Sequence, residues 1–328
     1  MLPTASAGAL VDDPTRARHD FDAFISHSSA DAHFADELAQ QLAVNGVECL
    51  VDDSNLRYAI LLRKPLQSAI AACRVLVLLW SESASTSRGV MADVLAAFHL
   101  DRFIIPYPLD STPLPQFLGS ALQVDGQRDG AHMERLRVDI QCAPNRANEV
   151  APTLAGWSPL AKPLIEGVAA AQYHVLDAML TNRQTAERAN VSVDLALASA
   201  KQMAPVHPMV LTLAGYQCRT AYMLRHWDAI QAGRAPKDPL LEQGERCFFD
   251  ALCMSPADAN ALSGLGSILF YERELDAADF FQRHATDIIK RCGTDYEAAQ
   301  HALSLILRFR HRAPNPAAVE AEPQPRLS

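Results

Sequence analysis

The sequence predicts an α/β domain built on a parallel sheet, followed by an all-helical domain. Three observations carry that expectation. Between about residues 20 and 125, short apolar segments alternate with amphipathic ones. The segment Val75–Trp80 is apolar at every position. Beyond about residue 160 no strand pattern remains, and the chain becomes alanine-rich with helical periodicity. Strands separated by helices imply parallel pairing through right-handed crossovers, and a strand covered on both faces loses its polar alternation.

The elements follow in order. Phe21–Ser26 reads as the first strand. Asp31–Val44 reads as a helix, with Phe34, Leu38 and Leu42 four apart on its inner face and Gly46 at its end. Val47–Val51 is the second expected strand, closed by Asp52 and Asp53. Leu62–Cys73 is the next expected helix, Val75–Trp80 the third strand, Ser87–Leu100 a helix after a serine-rich turn, and Phe103–Tyr107 the fourth strand. A helix near His132–Ile140 closes the domain, and Pro144, Pro152 and Pro159 mark a linker. These signals divide the chain into an α/β domain over 18–142, a linker over 143–160, a helical domain over 161–312 and a proline-rich tail over 313–328 without fixed structure.

The expected helices of the second half are Leu164–Leu180, Thr185–Met203, Pro208–Leu224, Leu240–Met254, Ala257–Tyr271, Leu275–Arg291 and Tyr296–Arg308. In Ala261–Ala285, Leu262, Leu265, Gly266, Ala278 and Ala285 fall where a tetratricopeptide repeat packs its two helices. Phe248, Ala251 and Pro256 fit the second helix of a preceding repeat and its terminator. This half resembles that repeat family, with Gln282 where an aromatic is usual and Trp227–Pro239 as an insertion. An ordinary helical bundle is the competing reading.

Composition bounds the function. The chain has 328 residues, 49% of them hydrophobic, which suits one large or two ordinary domains with cores. A formal net charge of -9 argues against a broad nucleic-acid surface. No apolar run approaches a membrane span, and the N-terminus is a poor signal peptide, so a cytoplasmic location is expected. The seven cysteines include no CxxC pair, and His207, His226 and His301 lack ligand spacing, so no metal is expected. Met203, Met209, Met223 and Met254 read as fillers of helix interfaces.

In open parallel sheets, ligands bind beyond the carboxyl ends of the strands. Those ends carry Ser26–Ser29, Asp52–Arg57, Ser81–Ser87 and Pro106–Asp110. The opening stretch DFDAFISHSSAD, with NGVECLVDDSNLR, SAIAACRVLVLLWSESASTS and FIIPYPLDSTPLPQFL in that order, resembles the Toll/interleukin-1 receptor (TIR) domain of the bacterial type. The resemblance implies a flavodoxin-like parallel sheet and two functional classes. One cleaves the nicotinamide–ribose bond of NAD+, giving nicotinamide and ADP-ribose or a cyclic isomer, often in antiphage defence. The other is a non-catalytic scaffold or adaptor. It also implies self-association through TIR domains, with a protein or small-molecule activator acting on the helical half. NAD+ is then a substrate, and no cofactor is required.

The family's catalytic glutamate maps onto Asp93, and the tryptophan four residues before it onto Gly89, counting from Ser81. Asp93 keeps the charge on a side chain one methylene shorter. It reads either as the carboxylate that stabilises an oxocarbenium-like ribose or as a solvated helix aspartate. Ser26, His27 and Ser28 read as ribose or phosphate contacts, or as turn and cap residues. Asp53, Arg57 and Tyr58 open the loop that in the family gates the pocket. Arg57 reads as a pyrophosphate partner or a solvated arginine, and Tyr58 as a base platform or a packing residue. Ala59 stands where that loop often has glycine, which removes easy access to positive φ. Ile60, Leu61 and Leu62 suggest that part of the loop is buried, with self-association as one cause. Trp80 reads as core before substrate platform, and Glu82 comes too early for the catalytic position.

Overall fold

The computed structural model describes residues 20–51, 61–118, 130–143 and 161–291. Four parallel strands form one sheet in the order β2-β1-β3-β4. They are β1 (Phe21–Ser26), β2 (Cys49–Val51), β3 (Cys73–Trp80) and β4 (Phe103–Pro108). Between them lie α1 (Ala32–Val44), α2 (Lys64–Ala72), α3 (Glu82–Ser85) and α4 (Arg88–His99), and α5 (Gly130–Cys142) follows. The register pairs Phe24 with Leu50 on one side and Leu76 on the other.

The unbroken apolar run of β3 has a direct cause. Val75, Val77 and Leu79 enter the core shared with α1 and α5, whereas Leu76, Leu78 and Trp80 enter the core on the opposite face with α2 and α4. Alternate residues of a strand point to opposite faces, so a strand buried on both must be apolar throughout.

Two boundaries differ from the sequence expectation for local reasons. The second strand begins at Cys49, because the Val47 N–H is bonded back to Leu42 O (3.0 Å) and belongs to the end of α1. The helix expected from Leu62 begins at Lys64. Leu62 has φ 44, Arg63 is the extended N-cap, and Pro65 sits in the first turn, where its missing N–H costs nothing. Cys73 leaves that helix to pair with Phe21 in the sheet.

Among the described residues of the second half every regular element is a helix: α6 (Ala161–Thr181), α7 (Arg183–Met203), α8 (Pro208–Arg225), α9 (Trp227–Gln231), α10 (Pro239–Met254), α11 (Ala259–Tyr271) and α12 (Leu275–Arg291). The main packing pairs are α6 with α7, α8 with α10 and α11 with α12, an arrangement consistent with a helical repeat. The segment read as an insertion holds α9 and an extended stretch whose Pro236 O accepts the Tyr222 hydroxyl (3.0 Å). Asp238 then caps α10 by accepting from Leu240 N (2.9 Å). The expected helix Tyr296–Arg308 and the proline-rich tail lie outside the described residues. Met203 is 46% exposed and fills no interface, contrary to expectation, because it ends α7 on the outer side.

The two halves do not have separate cores. The core on the α2/α4 face of the sheet continues through Phe117 and Leu118 into Phe248, Leu262 and Phe281. Leu62 is 1% exposed within it and Leu61 packs against it. The Leu61 N–H donates to Glu274 of the helical half (2.7 Å). The apolar end of the loop is therefore covered within the chain, and self-association is not needed to bury Leu61 and Leu62. Ile60 lies outside the described residues.

Candidate functional site

The strand order places a topological switch beside β1: the chain leaves it for β2 on one side and returns to β3 on the other. Open parallel sheets bind ligands at the carboxyl ends of the strands beside such a point. Here those ends carry a group of buried polar residues: Ser26, His27, Ser28, Asp31, Ser81 and Asp93.

Asp93 arrives from α4, whose first turn is started by Ser87 accepting from Val90 N (3.4 Å). The second turn directs Asp93 at the sheet, where the Ser26 hydroxyl donates to its Oδ2 (2.8 Å). Asp93 is 1% exposed. It is neither a solvated helix aspartate nor open to solvent as a substrate-ready carboxylate. Gly89, half-buried, stands one turn earlier on α4.

A second carboxylate ties the strand-end loops together. Ser81 caps α3 by accepting from Ala84 N (3.0 Å) and donates to Asp31 Oδ2 (2.6 Å). The Ser28 hydroxyl donates to the same oxygen of Asp31. In the sequence Asp31 reads only as the start of a helix. Asp31 occupies the N-cap of α1 but makes no capping bond with its side chain, which turns inward instead. Nothing in the spacing distinguishes those outcomes.

The other expected residues divide cleanly. Ser26, His27, Ser28, Ser81 and Asp93 fall within this group. Asp53, Arg57 and Tyr58 lie outside the described residues. Glu82 is exposed; its backbone N–H donates to Asp110 Oδ2 (2.9 Å) and its carbonyl accepts from the Ser85 hydroxyl (2.7 Å). The Asp110 carboxyl lies below its ordinary range because the Thr112 side chain and the Glu82 and Thr112 backbone groups bond it. Trp80 is core, and its indole N–H donates to Pro113 O (3.1 Å).

The helical half grips α4 from outside. Arg88, its first residue, pairs with Glu245 on α10 (2.7 Å) and Glu272 at the end of α11 (2.6 Å). Burial pushes the Glu245 carboxyl up to about 7 against the opposing pull of Arg88. At the other end of α4, the His99 ring lies 4.9 Å from that of His284 on α12. A cavity of about 420 Å³ runs between Ser85–Arg88 and α10; its wall includes Met91 but neither Asp93 nor Ser26.

No curated protein shows significant similarity to the chain. Among solved structures, the Sgt2 TPR domain from Aspergillus fumigatus matches at 15% identity, covering 54% of this chain and 94% of that one, with a TM-score of 0.34. At that score the likeness says nothing about how the helix pairs are arranged. Residues 23–137, which span β1 to most of α5, match the family model described as TIR domain, so the α/β half of the chain is TIR-like.

Proposed function

We propose that the TIR-like half cleaves the nicotinamide–ribose bond of NAD+, with nicotinamide and ADP-ribose or a cyclic isomer as products, in an antiphage defence response. The observation that carries this reading is the Asp93 carboxylate, held by Ser26 at the carboxyl ends of the strands. Burying carboxylates is costly, and sheet packing requires neither Asp31 nor Asp93. A fixed carboxylate is well suited to an oxocarbenium-like ribose. Breaking the glycosidic C–N bond sends its electron pair to the cationic nicotinamide, which leaves neutral without a general acid. Water then adds to the anomeric carbon and loses a proton; attack by an adenine nitrogen gives the cyclic product.

In this reading Asp93 stabilises the ribose cation and Ser26 positions it. His27, Ser28 and Ser81 line the ribose and phosphate side, and Gly89 leaves room beside α4. Asp53, Arg57 and Tyr58 supply the pyrophosphate and base contacts. Because Asp93 is 1% exposed, it must be uncovered before a ribose reaches it. Activity is therefore expected to depend on self-association of the TIR-like half or on an activator bound to the helical half.

The test is nicotinamide release from NAD+ across a range of protein concentrations. Release is expected to rise faster than in proportion to protein concentration and to fall at least ~100-fold in Asp93→Ala, the loss typical of a group that stabilises transition-state charge. Equal turnover in the variant, or none in assembled wild type, overturns the mechanism. The sequestration of Asp93 also favours a second reading, a non-catalytic scaffold. That reading expects self-association by sedimentation, equal in wild type and Asp93→Ala, with NAD+ left intact.

A further inference from the structure

A cavity of about 270 Å³ lies in the helical half where α6, α8 and α11 face one another, one helix from each packing pair. Its wall is largely apolar, with Leu176, Met209 and Leu213 among the contributors, and Arg219 is the single charged residue on it. Arg219 is held in a fixed pose. Its guanidinium carbon sits 4.6 Å from the centroid of the Tyr216 ring, and Nη1 donates to Ser267 Oγ (3.2 Å). Tyr216 is itself anchored by donating to Asn260 O (2.8 Å).

Two polar atoms at this wall are unsatisfied. Arg219 Nε is buried without an acceptor. Thr212 is 1% exposed, and its Oγ1 has no hydrogen-bond partner. Buried polar groups are nearly always bonded, so the two orphans leave a polar deficit just behind the cavity wall. No carboxylate among the described residues pairs with Arg219, although the chain carries an excess of them, Arg88 has two and Arg225 and Arg283 have one each. A cation left without a counter-ion in an acidic chain selects for an anion.

We propose that this cavity binds a small organic monocarboxylate with an apolar or aromatic body. Its carboxylate would take the outward fork of Arg219, the geometry in which guanidinium and carboxylate pair best. Its body would cover the apolar wall, including Tyr173 and Leu176, which are 66% and 37% exposed at the rim. A dianionic phosphate fits less well, because one guanidinium leaves half its charge unmatched beside apolar surface. The proposal holds whether or not the first half cleaves NAD+.

The experiment uses the full chain and three probes: indole-3-acetate, 3-phenylpropionate and 4-methylpentanoate. Each is paired with its amide as an uncharged isostere, and inorganic phosphate serves as the simple-anion control. Calorimetry and thermal shift are expected to show saturable binding of at least one acid and none of its amide. Affinity should fall by at least about tenfold in Arg219→Gln, as expected for loss of a charged hydrogen-bond partner. Phenylglyoxal labelling of the wild type, read by peptide mass, gives a test independent of the variant: the bound acid should shield Arg219 and its amide should not. Failure of all three acids to bind better than their amides, phosphate binding equally well, or unshielded Arg219 overturns the proposal.

Discussion

Serine hydroxyls tie the polar group at the strand ends together. The Ser26 hydroxyl donates to Asp93, so Ser26→Ala leaves a buried carboxylate with one bond fewer. We expect a loss of about 1–3 kcal/mol in urea unfolding, with Ser26→Thr losing less because it keeps the hydroxyl. Asp31 has the opposite exposure to risk: it accepts from both Ser28 and Ser81 and links the loops after β1 and β3. Asp93 was legible as a candidate only through the TIR resemblance, whose spacing is counted from Ser81. Its burial was not, because α4 places Val90, Val94 and Asp93 alike against other elements and all three are inaccessible.

At the scale of elements, the helical pairs are fixed by small residues under one aromatic ring. A Cβ on Gly264 would lie 2.2 Å from the Phe248 ring, and one on Gly215 would lie 2.7 Å from it. Gly264→Ala therefore forces α10 and α11 apart and should cost about 1–3 kcal/mol, the usual range for overpacking, seen as a lower urea midpoint. Gln282, in place of the usual aromatic, is fully buried and donates from Nε2 to Ser263 Oγ (3.1 Å). A polar side chain is tolerated there because the facing helix provides the partner. The repeat-like spacing revealed Phe248, Ala251, Leu262 and Ala278 as packing positions, all of them fully buried. It gave no sign of Ser263, whose partner lies on the next helix.

At the scale of the molecule, α4 is held between the sheet and the helical half, and its two ends respond to pH in opposite directions. Burial, followed by the neighbouring His284, lowers the His99 pKa from 6.5 to about 3; Arg291 adds to that effect and the Pro256 backbone opposes it. Above pH 6.5 His99 is neutral in both states. Between 6.5 and about 3 the unfolded chain takes up a proton that the native one refuses, so stability falls as pH falls, by up to about 1.4 kcal/mol per unit. Glu245, raised from 4.5 to about 7, does the reverse. Between those values the native chain holds a proton that the unfolded one has lost, so stability falls as pH rises. Urea unfolding across pH 5–7 should show His99→Gln removing the first slope and Glu245→Gln the second. Arg88→Ala deprives Glu245 of its cation. Since Arg88 is itself 44% exposed, the expected loss is about 1–2 kcal/mol, less than for a fully buried pair. Limited proteolysis of the full chain should accelerate in the same variant, because Arg88 joins α4 to α10 and α11.

Much of this architecture is written in local pattern. Alternating strands and helices, the unbroken β3 run and the serine-ended strands determined a parallel sheet with its polar residues at one end, because period and turn chemistry act over a few residues. Tertiary structure alone decided that Asp31 turns inward, that Asp93 is closed off beside Ser26, and that α4 is gripped by Glu245 and Glu272. Those outcomes depend on residues 50 to 184 positions apart meeting in space. Burial, hydrogen bonding and ion pairing act through that proximity, which no local window contains.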